Sequence, residues 1–144
     1  MNRALVADLP MVAVIVVDDD AAVRTAVARL LRGEGYEVWA FDSANHLLTS
    51  VCPAAPACAL VDVRMPGLDG FELMRILLGD RRRMPTILMS ADVDASLRER
   101  AIREGATECL EKPFDRQRLL DAIGRVVAGN ATGPCPKAAQ MAPR

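Results

Sequence analysis

The sequence predicts a doubly wound α/β domain in which five parallel strands alternate with five helices. Short apolar runs end near residues 17, 41, 62, 90 and 111, about 21–28 residues apart, which suits right-handed βα units. Between them lie segments with apolar residues at helical spacing, closed by glycine, proline or a charged loop. At 144 residues the chain is long enough for one domain with a substantial core.

In chain order, residues 1–10 form a loose lead-in. Met11 to Val17 is apolar on both faces, as a central parallel strand is. A helix follows from Ala21 to Arg32, with Val23, Val27, Leu30 and Leu31 on one face and Gly33 and Gly35 ending it. Asp20 suits its cap, with Arg24 as an ion-pair partner. Tyr36 to Phe41 alternates like an edge strand. Asp42-Ser43 then caps a helix carrying Leu47, Leu48 and Val51 that stops before the loop Pro53-Ala54-Ala55-Pro56. Cys58 to Val61 is a third, buried strand closed by Asp62. Pro66-Gly67 fits a type II turn, and Asp69 caps a helix from Gly70 to Leu78 that buries Phe71, Met74, Leu77 and Leu78. Gly79 to Arg83 is a charged loop, and its Arg81-Arg82-Arg83 run is a solvated basic stretch. Pro85 to Ser90 is the fourth strand, Ala95 to Glu104 a helix ended by Gly105, and Thr107 to Leu110 the fifth strand. Asp115 caps a last helix with Leu119, Leu120, Ile123, Val126 and Val127 inward. From Gly129 the composition turns to Gly, Ala and Pro without periodicity, as in a flexible tail or linker. The domain is thus expected over residues 11–128, with 129–144 as tail.

Composition narrows the function classes. A formal net charge of −1 gives no electrostatic case for direct nucleic-acid or membrane binding by this segment. The longest apolar run, Met11–Val17, is far short of the ~20 residues that span a bilayer, and no signal-peptide pattern follows it, so the chain reads as cytoplasmic. Four cysteines without C-x-x-C spacing and a single histidine, His46, argue against a Cys/His zinc site and against hydrolase triads.

In a parallel sheet the carboxyl ends of the strands share one edge, where open α/β folds bind ligands. That edge would collect Asp18-Asp19-Asp20, Asp62, Ser90 and Glu111-Lys112-Pro113. Crowded carboxylates repel, so at least one should have a raised pKa in the absence of a cation. A hard divalent ion relieves the repulsion, and oxygen-only donors with open positions favour Mg²⁺. Asp62 is then free to act as a nucleophile, Lys112 to pair with it and hold phosphoryl oxygens, and Ser90 to hydrogen-bond one of them. Asp20 fits a helix cap better than a ligand, and Glu111 is a peripheral acid.

Val14 to Asp20, Asp62 to Gly70, Ser90-Ala91 and Lys112-Pro113-Phe114 together resemble the signature segments of two-component response-regulator receiver domains, over about residues 11–128. The segment around Lys112-Pro113-Phe114 is similar to receivers of NarL/FixJ-type transcription regulators. The resemblance implies the flavodoxin-like strand order 2-1-3-4-5, Mg²⁺ held by Asp18 and Asp19 with Asp62 and the backbone carbonyl of Arg64, and phosphorylation of Asp62. It implies phosphoryl binding by Ser90 and Lys112 and a cis Lys112-Pro113 bond. The donor is a phosphohistidine on a sensor histidine kinase or a phosphotransfer protein. A phosphorylation-dependent homodimer would use the outer faces of the last helix and of residues 97–104, although core packing accounts for most of their apolar positions. Such a domain is a phosphoacceptor rather than an enzyme, catalysing only its own phosphotransfer and dephosphorylation. Cys109 departs from the pattern, since many receivers carry Tyr or Phe three positions before the lysine. Ser90 and the loop after it are therefore expected to carry the signal.

Three rival readings are weaker. A haloacid-dehalogenase-like phosphatase needs a second acid where Arg64 stands. An FMN carrier wants a hydroxyl- and glycine-rich loop where three aspartates stand. A non-phosphorylated pseudo-receiver acting as a protein-binding module usually lacks one of the acids or the lysine, all of which are here.

Overall fold

The computed structural model describes residues 12–51, 56–79 and 83–131. The lead-in, Cys52, most of the Pro53–Pro56 loop, Arg81-Arg82, Cys135 and the tail from residue 132 lie outside them. Strands β1 (Ala13–Val17), β2 (Glu37–Phe41), β3 (Cys58–Asp62), β4 (Thr86–Ser90) and β5 (Glu108–Glu111) form one parallel sheet in the expected order β2-β1-β3-β4-β5. Helices α1 (Ala21–Gly33), α2 (Ala44–Leu48), α3 (Gly70–Gly79), α4 (Ala95–Arg103) and α5 (Arg116–Ala131) alternate with them. Among the described residues, no helix is long and apolar enough to cross a membrane.

β1, β3 and β4 are buried along their whole length because helices cover both faces of the sheet. Alternate residues serve opposite layers. Val14, Val16, Leu60, Ile87 and Met89 pack with Leu31 of α1 and Leu119 and Ile123 of α5. Ile15, Val17, Val61 and Leu88 pack with Phe71, Met74 and Leu77 of α3 on the other side. Apolar strands of five residues therefore hold two cores at once, and their ends stay in register at one edge.

Local chemistry sets the helix ends. The Asp20 carboxylate accepts from the Ala22 and Val23 amides at 2.9 and 3.4 Å, as its cap assignment requires. Arg24, expected to pair with Asp20, instead donates to the Asp18 carbonyl at 2.7 Å. Asp69 and Glu72 form a reciprocal capping box, each amide donating to the other's carboxylate at 2.9 Å. Gly67 has φ +78°, the left-handed position of the predicted turn, and Gly105 takes φ +111° after α4.

Three further sequence expectations need correction. α2 stops at Leu48, with Thr49 as its C-cap and the Thr49 hydroxyl donating to the Asn45 carbonyl at 2.8 Å. So short a helix turns only Ala44 and Leu47 inward, leaving Leu48 42% and Val51 85% exposed. On α3, Leu73 is fully buried while Leu78 only flanks the core. α5 continues through Gly129 to Ala131, because a glycine in a helix already anchored by Leu119, Ile123 and Val126 costs only ~1 kcal/mol.

Leu31→Ala should lower the unfolding free energy by about 2–5 kcal/mol, and Val51→Ala by no more than ~0.5 kcal/mol. Urea denaturation followed by circular dichroism measures both. A large loss at Val51 would restore the longer α2.

Candidate functional site

The sheet builds the site by carrying its hydrogen-bond ladder one residue past the strand ends. The Asp18 amide donates to the Phe41 carbonyl at 3.1 Å, Val63 to Met89 at 2.8 Å, and Lys112 to Ser90 at 2.8 Å. Those bonds fix the backbones of Asp18, Asp62 and Lys112 at one edge, beside Ser90, although the residues are scattered through the sequence. Asp18, Asp62 and Ser90 are all buried there.

Asp18, Asp19 and Asp62 each offer a carboxylate oxygen within 4.8 Å of the others. Asp18 is wholly buried and has both oxygens engaged: Oδ1 accepts from the Asp20 amide at 2.9 Å, and Oδ2 from the Lys112 ammonium at 2.7 Å. Lys112 also stands 3.3 Å from Asp62 Oδ1, so a single cation bridges the two buried acids. Asp19 is exposed at the mouth of the cluster. Three carboxylates against one ammonium leave an excess of negative charge, and their hard oxygen donors fit a divalent ion of the Mg²⁺ kind. Among the described residues, every buried side-chain nitrogen or oxygen has a partner.

Burial pushes the Asp62 carboxyl up to about 6, and the neighbouring Asp18 charge adds to the shift. The Lys112 ammonium and the Arg64 amide work against it without cancelling it. Burial also disfavours the Lys112 charge, but its hydrogen bond to Asp18 and the two acidic charges hold its pKa above the usual lysine value. Lys112 therefore stays charged at neutral pH, while Asp62 gives up its proton reluctantly.

Each sequence-predicted site residue is at this edge. Arg64 sends its amide toward Asp62, and its side chain is exposed. The Ser90 hydroxyl accepts from the Asp92 amide at 3.3 Å, tying it to the loop that leads into α4. The Lys112-Pro113 bond is cis as expected, and Glu111 is an exposed acid. Cys109 is half-buried against the core, and burial raises its thiol pKa.

Sequence reasoning missed the part played by Gly70. A Cβ there would lie 2.4 Å from the Asp62 carbonyl oxygen and 2.7 Å from Val63 Cα, so only glycine lets α3 begin against the backbone that presents Asp62. The Gly70 amide donates to the Val63 carbonyl at 2.9 Å and locks the approach. Nothing in the local sequence pattern marks this glycine beyond its place before a helix.

Comparison with known proteins gives consistent matches. The sequence profile of the family described as the response regulator receiver domain matches residues 14–124. Nodulation protein W of Bradyrhizobium diazoefficiens is 39% identical over 110 residues, covering 76% of this chain and 48% of that protein. Transcriptional regulatory protein FixJ of the same organism is also 39% identical over 110 residues, covering 76% of this chain and 54% of its own. The chain thus spans about half the length of these relatives. Among solved structures, the BeF3-activated receiver domain of DrrB superposes with a TM-score of 0.75 at 26% identity, covering 83% of this chain and 99% of that one.

Two outcomes follow from the geometry. With Asp62 raised to about 6 in the fold against an ordinary ~3.9, its protonated form favours folding. That contribution is complete below about pH 4 and lost as pH rises through about 6. In chelator, Asp62→Asn should therefore be more stable than wild type by roughly 1–3 kcal/mol at pH 7.5, and by little at pH 4, in urea titrations. An equal difference at both pH values would contradict the shift. Gly70→Ala should cost about 1–3 kcal/mol through overpacking and weaken Mg²⁺ binding measured by calorimetry. Unchanged binding would mean that α3 can retreat without moving Asp62.

Proposed function

The chain belongs to the response regulator receiver domain family, and from that premise we propose that Asp62 accepts a phosphoryl group whose presence is passed to an output. As a receiver it is a signalling phosphoacceptor and not an enzyme in the ordinary sense. We take the receiver unit expected over residues 11–128 to extend to the end of α5 at Ala131, with 132–144 as a tail or linker.

The observation that carries the assignment is the unequal commitment of the buried acids. Asp18 has both oxygens in short hydrogen bonds, whereas Asp62 meets Lys112 only at 3.3 Å and is the acid whose charge the fold tolerates least. Forming a P–O bond there removes a charge from the crowded carboxylate and spreads new charge over phosphoryl oxygens that Lys112 and Ser90 can meet. An Asp62 oxygen attacks the phosphorus of a phosphohistidine, the P–N bond breaks, and the imidazole leaves with the bonding pair and takes a proton from solvent. Lys112 follows the negative charge from Asp18 toward the phosphoryl oxygens, and Ser90 donates its hydroxyl to one of them. Mg²⁺ held by Asp18, Asp19, Asp62 and the Arg64 carbonyl would neutralise charge on donor and acceptor during the transfer. Attack by water on the aspartyl phosphate returns the domain to rest.

The donor is a sensor histidine kinase or a phosphotransfer protein, and the setting is cytoplasmic. The relative named as a regulator of transcription supports an output of that kind, and a phosphorylation-dependent homodimer is our proposed route to it. Binding to DNA is not assigned to this segment.

Incubation with acetyl phosphate and Mg²⁺ should add one phosphoryl group by intact mass, with none added in chelator or in Asp62→Asn. No gain under any condition would make the chain a pseudo-receiver that works by binding alone.

A further inference from the structure

α4, the helix reached through the Ser90 loop, has few apolar anchors. It buries only Ala101 completely and leaves Ile102 64% exposed, whereas α3 buries five residues. Its Leu97 packs only in part against the core, and Leu97 and Arg100 line an open cleft of about 590 Å³ with Val63, Met65 and Pro66 of the loop after Asp62. The apolar hold on α4 is therefore limited to Ala101 and the packed part of Leu97.

A polar chain adds to that hold. Glu104, the C-cap of α4, accepts from Arg100 Nε at 2.7 Å through one carboxylate oxygen and from Arg75 Nε of α3 at 3.1 Å through the other. The Arg100 guanidinium lies 3.8 Å over the ring of Phe71. Phe71 cannot drift, because it follows Gly70 at the point where α3 is wedged against the Asp62 carbonyl. The chain of contacts thus ties α4, whose approach loop is bonded to Ser90, to the backbone that presents Asp62. β5 supplies no aromatic side chain to take part, since Cys109 contacts α4 by accepting from Arg98 at 3.3 Å through its carbonyl.

We propose that Arg75, Glu104 and Arg100, seated on Phe71, form a latch that holds α4 in its resting position and is released when a phosphoryl group on Asp62 draws the Ser90 loop inward. The proposal rests on the phosphoacceptor reading and names the residues that set its resting equilibrium. A contact made only in the resting state weakens phosphoryl binding by the same factor by which it stabilises rest, so loosening it must tighten binding. For partly exposed ion pairs that factor is about threefold.

The test uses the 144-residue chain, with beryllium fluoride and Mg²⁺ as the phosphoryl mimic titrated by amide NMR and with hydrogen exchange over residues 95–104. Glu104→Gln should bind the mimic about threefold more tightly and exchange faster over α4. Arg100→Met, which keeps an apolar stem over Phe71, should do the same. Glu108→Gln, which removes the negative charge from the separate Arg125 pair at 2.6 Å, should do neither. Faster exchange with unchanged or weaker binding in the first two variants would overturn the latch and leave a plain structural ion pair. A wild-type chain that does not bind the mimic would overturn the phosphoacceptor reading itself, separately from the exchange result.

Discussion

The Lys112 ammonium between Asp18 and Asp62 is the contact on which the edge of this sheet depends. Two carboxylates this far inside the fold repel strongly, because little solvent reaches them to screen the charge. One cation shared between them, at 2.7 and 3.3 Å, makes their burial tolerable without satisfying both equally. The imbalance is useful. Asp18 is fully engaged and acts as a fixed wall, while Asp62 keeps a charge that its surroundings oppose, which is the condition for a group whose state is meant to change.

That arrangement stands only because the backbone under it is rigid. β1, β3 and β4 are each buried on both faces, and their ladder continues beyond the last strand residue to hold Asp18, Val63 and Lys112. Gly70 adds a steric constraint by bringing α3 against the Asp62 carbonyl. Apolar packing in two layers supplies the stability, and the polar edge uses it to keep like charges close together.

The same contrast separates the fixed parts of the molecule from the part free to move. α1, α3 and α5 are tied down by leucines, isoleucines and phenylalanine that would leave cavities if displaced. α4 leans on one alanine, part of Leu97, a cation over a ring and paired charges, and the polar contacts among these can exchange partners at small cost. The helix with the weakest apolar hold is also the one connected to Ser90. A change at Asp62 thus meets its least resistance in that direction, even though Cys109 offers no ring to turn.

By itself the sequence determined the strands, the order of the helices and the identity of the edge groups. Apolar periodicity, the caps at Asp20, Asp69 and Asp115, and the turn at Pro66-Gly67 are local signals read within a few residues. It misjudged Leu48, Val51 and Leu78, because helical spacing says which positions align but not how far a short helix reaches the sheet. Only the tertiary structure decided that Lys112 sits closer to Asp18 than to Asp62, that Arg24 serves the Asp18 carbonyl rather than Asp20, that Gly70 is wedged under Asp62, and that Glu104 joins α3 to α4. Most of these join groups on separate elements, and even the short-range Arg24 contact was chosen by where Asp18 leaves the sheet. Distances of that kind are set by packing angles and strand register, which no local pattern encodes.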